Sequence, residues 1–410
     1  MSNKKGTYTR RDFLKTAGAV GVGSMLSPVE SITNAQKSSN PNESPVNVVP
    51  TRPFGKTGID VSILSLGGAF HYSNLLLMKQ ALDMGVTYWD TSPGYGGGQS
   101  EAGIGKYFEK FPEDREKVFL VTKADIFDPP SMTTSLNQSL ERMNTSFADL
   151  YFLHGISNPN EADKKIEAWA EKTKSQGKIR LFGFSTHSNM EDCLLGAAKL
   201  GWIDGIMLTY NFRVMHSDKM KKAVDDCYRA GIGLTAMKTQ STGWGSKGGP
   251  LNDKERALLN RFESKGLSTG QAKLKAVWDD DRIASICSYM TNMRYLSENA
   301  SAAMDNKKLS DHDIDCLKDY ARKTASSYCA GCKHICEPFL DGKVPVSEVM
   351  RYLMYSRCYG ESEKAKSAFK ELPSEVRGRM AVMDFRDAEN RCPQGLPIGR
   401  LMREAVIELA

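Results

Sequence analysis

Three apolar runs decide the fold of this 410-residue chain: Thr87-Tyr88-Trp89-Asp90, Val118-Phe119-Leu120-Val121-Thr122-Lys123 and Asp149-Leu150-Tyr151-Phe152-Leu153-His154. Each is short and apolar, and helix-length segments separate them, which is how buried parallel strands read. Each also ends on a titratable residue, Asp90, Lys123 or His154, and Tyr95 follows Asp90 by one turn of loop. In a (β/α)8 barrel the C-terminal strand ends form the mouth that carries the chemistry. An acid, a phenol, an amine and an imidazole converging there make a proton-transfer site, pointing to an enzyme and not to a binding module.

The rest of the chain supplies the remaining strands. Val61–Gly68 precedes these three, and Ile179–Ser185, Gly205–Asn211, Gly231–Lys238 and Ala284–Met290 follow them. Residues 75–84, 132–143, 163–175, 190–200 and 217–230 repeat apolar residues every three or four positions, as amphipathic helices do. Strand and helix alternating in this way predict an α/β fold, a (β/α)8 TIM barrel closed by right-handed crossovers, over residues 51–308. An open doubly wound sheet would need a Gly-rich phosphate turn after its first strand, and Leu66-Gly67-Gly68-Ala69-Phe70 does not supply one.

Asp90-Thr91-Ser92-Pro93-Gly94-Tyr95-Gly96 resembles the signature of the aldo-keto reductases. So do Gly55-Lys56-Thr57-Gly58, Leu66-Gly67-Gly68, Val121-Thr122-Lys123, Tyr151-Phe152-Leu153-His154-Gly155, Gly183-Phe184-Ser185 and Glu298-Asn299. The resemblance covers about Thr51 to Ala303 and implies hydride transfer between NAD(P)(H) and a carbonyl or alcohol, on a small carbonyl or sugar-like substrate. Tyr95 would be the proton donor. Its ordinary pKa of ~10 is high for this task. Lys123 is expected to lower it by favouring the phenolate, Asp90 to hold that ammonium, and His154 to orient and polarise the carbonyl. The resemblance further implies that Ser185, Tyr210 and Asn211 meet the nicotinamide, Lys238 the pyrophosphate, and Glu298 and Asn299 the adenine end. The chain departs from the family at Thr186, where many relatives have Asn, and over Cys287-Ser288-Tyr289-Met290-Thr291-Asn292. A 2′-phosphate needs a cation there, for which Arg294 is a candidate, so NAD and NADP both stay open.

After the seventh strand lies a polar insert, residues 240–270, whose Gly243–Gly249 stretch reads as a mobile loop before a short helix. Such a loop either closes over the mouth or is a tolerated surface insertion.

The N-terminus reads Thr9-Arg10-Arg11-Asp12-Phe13-Leu14-Lys15, followed by a weakly apolar stretch over residues 17–26. It resembles a twin-arginine signal over residues 1–35, with a cleavage site at Thr33-Asn34-Ala35 and a linker over 36–50. The expectation is export to the periplasm or another extracytoplasmic compartment, with no stable membrane span. Half of the net charge of +6 sits in that segment, which gives no case for nucleic acid.

Residues 309–410 read as a smaller α-helical domain carrying Cys329-Ala330-Gly331-Cys332-Lys333-His334-Ile335-Cys336 and, much later, Cys392-Pro393. Segments 309–322, 346–355, 363–372, 375–384 and 398–409 are its expected helices. A Cys-Pro completing a distant Cys-x-x-Cys resembles bacterial ferredoxin wiring, and some aldo-keto reductases carry such a tail. Val382, Phe385 and Ala388 stand where a second motif would have Cys, and Ser326 where the strictest first motif would, so two clusters are excluded. Three readings remain: one 4Fe–4S cluster on Cys329, Cys332, Cys336 and Cys392; zinc on three of these with His334 or Cys392; or no metal, with the thiols free or in disulfides. Cys358 is a spare candidate ligand, while Cys193, Cys227, Cys287 and Cys316 read as small core residues.

The alternative to a reductase is an iron–sulfur redox relay or docking protein, passing electrons to a partner from a barrel with weak or no nucleotide turnover. A third reading keeps the four catalytic residues but loses nucleotide affinity.

Overall fold

The computed structural model describes residues 48–69, 72–240, 253–340 and 344–410. The chain divides into two compact units, Met1–Val46 and Asn47–Ala410. The expected signal over 1–35, nearly all of the linker over 36–50, the Gly243–Gly249 stretch and Phe70 lie outside the described residues.

Among the described residues, eight parallel strands close a barrel: β3 (Leu64–Gly67), β4 (Tyr88–Asp90), β5 (Phe119–Ala124), β6 (Ala148–Ile156), β7 (Ile179–Thr186), β8 (Gly205–Thr209), β9 (Gly233–Met237) and β10 (Ser285–Ser288), with β10 returning to β3. The expected barrel is therefore the observed one. Strand pleat decides what lines it, because alternate residues face opposite sides. Tyr88, Phe119, Val121, Leu150, Phe152, Met207 and Met237 fill the interior. Trp89, Leu120, Tyr151, Leu153 and Phe184 pack outward against the helices. Two residues beyond Tyr88, Val121 and Phe152 come Asp90, Lys123 and His154, so the same pleat turns all three into the mouth.

The expected first strand, Val61–Gly68, proves to be two elements. Thr51–Pro53 (β1) and Asp60–Ser62 (β2) form an antiparallel hairpin, and the barrel strand begins only at Leu64. The hairpin closes the barrel floor. Phe54 is fully buried against Tyr88 and Phe119, with ring centroids 6.4 and 5.5 Å away. Space for it exists because β8 and β9 present glycines: a Cβ on Gly205 or Gly233 would stand 2.7 or 2.5 Å from the Phe54 ring.

Helix Gln99–Lys110 was not legible. Its buried face is Ser100, Glu101, Gly103, Ile104, Gly105, Tyr107 and Phe108, so polar and small residues interrupt the apolar repeat. Glu101 is buried because it accepts hydrogen bonds from Thr122 Oγ1 and Arg142 Nε, both at 2.7 Å. The insert after β9 contains helix Asp253–Glu263, longer than the short helix expected.

The tail has its own core, in which helix Val346–Tyr359 packs with Ser362–Glu371, Ser374–Val382 and Ile398–Leu409. Helix Asp311–Lys323 instead buries Leu317 and Tyr320 against Phe212, Leu258 and Phe262 of the barrel unit. The tail lies on the barrel mouth. Gly331 has φ +79°, and a Cβ there would stand 2.2 Å from the His187 carbonyl oxygen at the end of β7. Ser188 and Ser347 share a hydrogen bond at 3.0 Å, and Asn211 donates to the Tyr328 hydroxyl at 3.0 Å. No helix among the described residues is long and apolar enough to cross a membrane.

Phe54→Ala should destabilise the protein by about 3–5 kcal/mol, because residues of four strands surround the ring and leave the floor no way to collapse. Urea unfolding followed by tryptophan fluorescence would measure this. A loss under about 1 kcal/mol would show that the plug is dispensable.

Candidate active site

Lys123 organises the mouth. Its Nζ donates to Asp90 Oδ1 at 2.6 Å and to the Thr91 carbonyl at 2.7 Å, and lies 4.8 Å from the centroid of the Tyr95 ring. Lys123 and Asp90 are almost completely buried. Tyr95 and His154 meet edge to face with centroids 5.6 Å apart. All four predicted catalytic residues are thus brought together.

The charge logic differs from expectation at Tyr95. Burial pushes its phenol well above the ordinary value, and the Asp90 carboxylate pushes the same way. Asp90 and Thr91 hold the Lys123 ammonium 4.8 Å from the ring centroid. Tyr95 therefore keeps its proton at neutral pH. Burial likewise raises the Asp90 carboxyl, with Lys123 pulling against it.

Sequence reasoning missed Asp125. Its Oδ1 lies 2.5 Å from His154 Nδ1, and Ser92 Oγ is 3.3 Å from the same nitrogen. The one available signal was an acid two residues beyond Lys123, just past the end of β5. Burial holds His154 below the ordinary imidazole range, so its ring is neutral at pH 7, although Asp125 pulls the other way. A neutral ring that gives its Nδ1 proton to Asp125 presents Nε2 as an acceptor. That suits a substrate hydroxyl, and orients more than it polarises.

The expected nucleotide residues divide. Ser185 is buried beside His154 and accepts from the Gly155 N–H at 2.9 Å. Asn211 donates to the Lys238 carbonyl at 3.2 Å. Lys238, at φ +56°, turns its ammonium to 5.2 Å from the Tyr355 ring of the tail. Tyr210 is fully buried among strand and helix residues, and its hydroxyl donates to Asp280 at 2.7 Å. Asn299 donates to Ser288 Oγ at 2.9 Å and accepts from Gln240 at 3.1 Å. Glu298 is taken by Arg294 at 2.8 Å, the exposed cation considered for a 2′-phosphate.

The model of the Aldo/keto reductase family matches residues 71–320. The chain belongs to that family. An aldo-keto reductase of Gibberella moniliformis is 29% identical over 208 residues, 48% of this chain and 60% of that protein. L-galactose dehydrogenase of Arabidopsis thaliana is 23% identical over 289 residues, 64% of this chain and 90% of its own length. L-glyceraldehyde 3-phosphate reductase of Escherichia coli is 25% identical over 301 residues, 61% of this chain and 86% of its own. The chain spans about half to three fifths of the length of the first curated relatives it matches. Among solved structures, the holo form of aldo-keto reductase AKR11C1 from Bacillus halodurans superposes with a TM-score of 0.55 at 19% identity, covering 66% of this chain and 96% of that one. That likeness shows the fold.

The tail thiols also converge. Cys329, Cys332, Cys336 and Cys392 all line one cavity, walled by Ile335, Val346, Leu396 and Ile398. Burial pushes the Cys332 and Cys336 thiols up to about 11 and about 12, and raises Cys329 as well. His334, a rival zinc ligand, is turned to the barrel, with Nδ1 2.6 Å from Asn189 Oδ1. Cys358 is not among the lining residues of that cavity. Among the described residues no three His, Cys, Asp or Glu side chains gather closely enough to hold a single metal ion.

Asp125→Asn should lower the His154 midpoint further, because the carboxylate favours the imidazolium. An NMR pH titration of the ring would measure it, and an unchanged or raised midpoint would contradict the assigned pair.

Proposed function

We propose that this chain is a reversible reductase, transferring a hydride between NAD(H) or NADP(H) and a small carbonyl or sugar-like compound, with Tyr95 as proton donor. One observation carries the reading: the Lys123 ammonium stands 2.6 Å from Asp90 and 4.8 Å from the Tyr95 ring, with His154 beside that ring. When bound, the nicotinamide supplies the hydride. Tyr95, protonated by burial, gives its hydroxyl proton to the oxygen that becomes an alkoxide. Lys123 keeps positive charge next to the phenolate that this leaves. His154, fixed by Asp125 and Ser92, orients a substrate hydroxyl through Nε2. By resemblance to the family, Ser185 and Asn211 would meet the nicotinamide, Lys238 the pyrophosphate and Asn299 the adenine end. Two of the relatives bear names that refer to sugar-type substrates, which supports that substrate class.

Cys329, Cys332, Cys336 and Cys392 would hold one 4Fe–4S cluster, which supplies one-electron transfer. Four partly buried thiols around one cavity fit a group whose positive charge stabilises thiolates. The His334 contact with Asn189 weighs against zinc held through His334. Export by the twin-arginine route, which carries folded proteins, fits an enzyme that must arrive with its cofactors bound.

A second reading, a redox relay to an electron-transfer partner, has one observation in its favour. Cys329, Ala330 and Ser347 line both the thiol cavity and the cavity at the barrel mouth, so the two are separated by a single wall.

Tyr95→Phe separates the readings. It should cut carbonyl turnover by about 10²-fold or more while leaving the fold intact. Turnover that survives would favour the relay. Anaerobically purified protein should contain about four irons per chain and absorb broadly in the visible, and Cys392→Ser should lose most of that iron. A colourless wild-type protein, with zinc or no metal, would make the tail structural.

A further inference from the structure

Between barrel and tail, ammoniums and phenol rings alternate. Lys123 lies 4.8 Å from the Tyr95 centroid and Lys364, from the tail, 5.5 Å from the same ring. Lys364 and Lys238 lie 5.0 and 5.2 Å from the Tyr355 centroid. The series runs from the proton donor to a cavity of about 30 Å³, room for one or two waters, whose lining includes Lys238, Arg351, His187, Thr209 and Tyr328.

The anions do not match these cations. Asp90 takes Lys123, and Glu348 takes Arg351. Glu361 attracts Lys364 without pairing with it and accepts the Tyr289 hydroxyl, which leaves Lys238, among the described residues, as the cation with no nearby carboxylate. Among the described residues, neither Lys238 nor Lys364 forms an ion pair, although both are half-buried. Burial and the neighbouring cations hold both below the ordinary lysine range. An ammonium taken out of water without a counter-charge is costly. A mouth lined by one sign of charge concentrates ligands of the other.

We propose that the substrate carries an oxyanion, a carboxylate or phosphate, received by Lys364 of the tail with Lys238 behind it, while its carbonyl faces Tyr95. This rests on the reductase reading and names its substrate class. Lys364 stands over the ring of the proton donor itself, so one small molecule spans both groups. The tail thereby becomes part of the substrate site.

The oxyanion could also be the pyrophosphate of the nucleotide, and the test separates the two sources. Full-length protein is assayed with a sugar aldehyde and with the same sugar bearing a carboxylate or phosphate at its far end. Lys364→Met should lower the charged-to-neutral ratio of kcat/KM by about tenfold or more, and Lys364→Arg should restore most of it. An unchanged ratio, or a loss that falls on the KM of the nucleotide, overturns the proposal. Inorganic phosphate binding to Tyr95→Phe, followed by calorimetry, gives a readout independent of turnover. It should persist there and weaken in the Tyr95→Phe, Lys364→Met double variant. If Tyr95→Phe keeps turnover, the reductase reading falls on its own. If Tyr95→Phe is inactive but phosphate binds no more weakly to the double variant, the anion site falls on its own.

Discussion

The ion pair between Lys123 and Asp90 is the constraint on which the rest of the site depends. Both charges are almost wholly removed from water, and the pair is held at 2.6 Å by adjacent strands of a closed barrel. Removing either partner of such a buried pair leaves the other uncompensated, at a cost of about 3–5 kcal/mol. The pair persists because the Thr91 carbonyl takes a further ammonium proton, and because Tyr72 donates to the Asp90 backbone carbonyl at 3.0 Å. The ammonium's remaining direction is the Tyr95 ring. One ion pair thus sets the charge beside Tyr95, the proposed proton donor, and burial keeps its phenol protonated.

The tail turns an open barrel mouth into an enclosed one. Its docking is polar and close: Gly331 against the His187 carbonyl, Ser347 on Ser188, His334 on Asn189. These contacts fall on the residues that follow β7, next to Ser185. The thiol cavity and the mouth therefore share a wall, and the tail supplies Tyr355 and Lys364 to the neighbourhood of Tyr95. A ligand in this mouth meets residues of both parts of the chain.

Much of this was legible in the sequence because it follows from strand period. Asp90, Lys123 and His154 each stand two residues beyond an interior apolar residue, so alternation alone turns them inward. Asp125 was invisible since its role depends on a contact 29 residues away, with no periodic trace. Helix Gln99–Lys110 escaped because Glu101, Ser100 and two glycines interrupt the apolar residues of its buried face. The four thiols were identifiable as a set, but their common cavity depends on tail helices packing together, and spacing cannot give that. The Lys238, Lys364 and Tyr355 arrangement had no signature either: three unremarkable residues, far apart in sequence, meet where two cores adjoin.

Direct passage of a hydride to a carbonyl held at Tyr95, as proposed, can be followed with reduced nicotinamide nucleotide carrying deuterium at the transferred position, offered with a panel of carbonyl compounds and the product examined by mass spectrometry. One deuterium is expected on the former carbonyl carbon of the product, and product formation should be lost in Tyr95→Phe. Product formed without deuterium, or nucleotide oxidised only when an external electron acceptor is present, would contradict direct transfer and assign the chemistry to electron transfer through the tail.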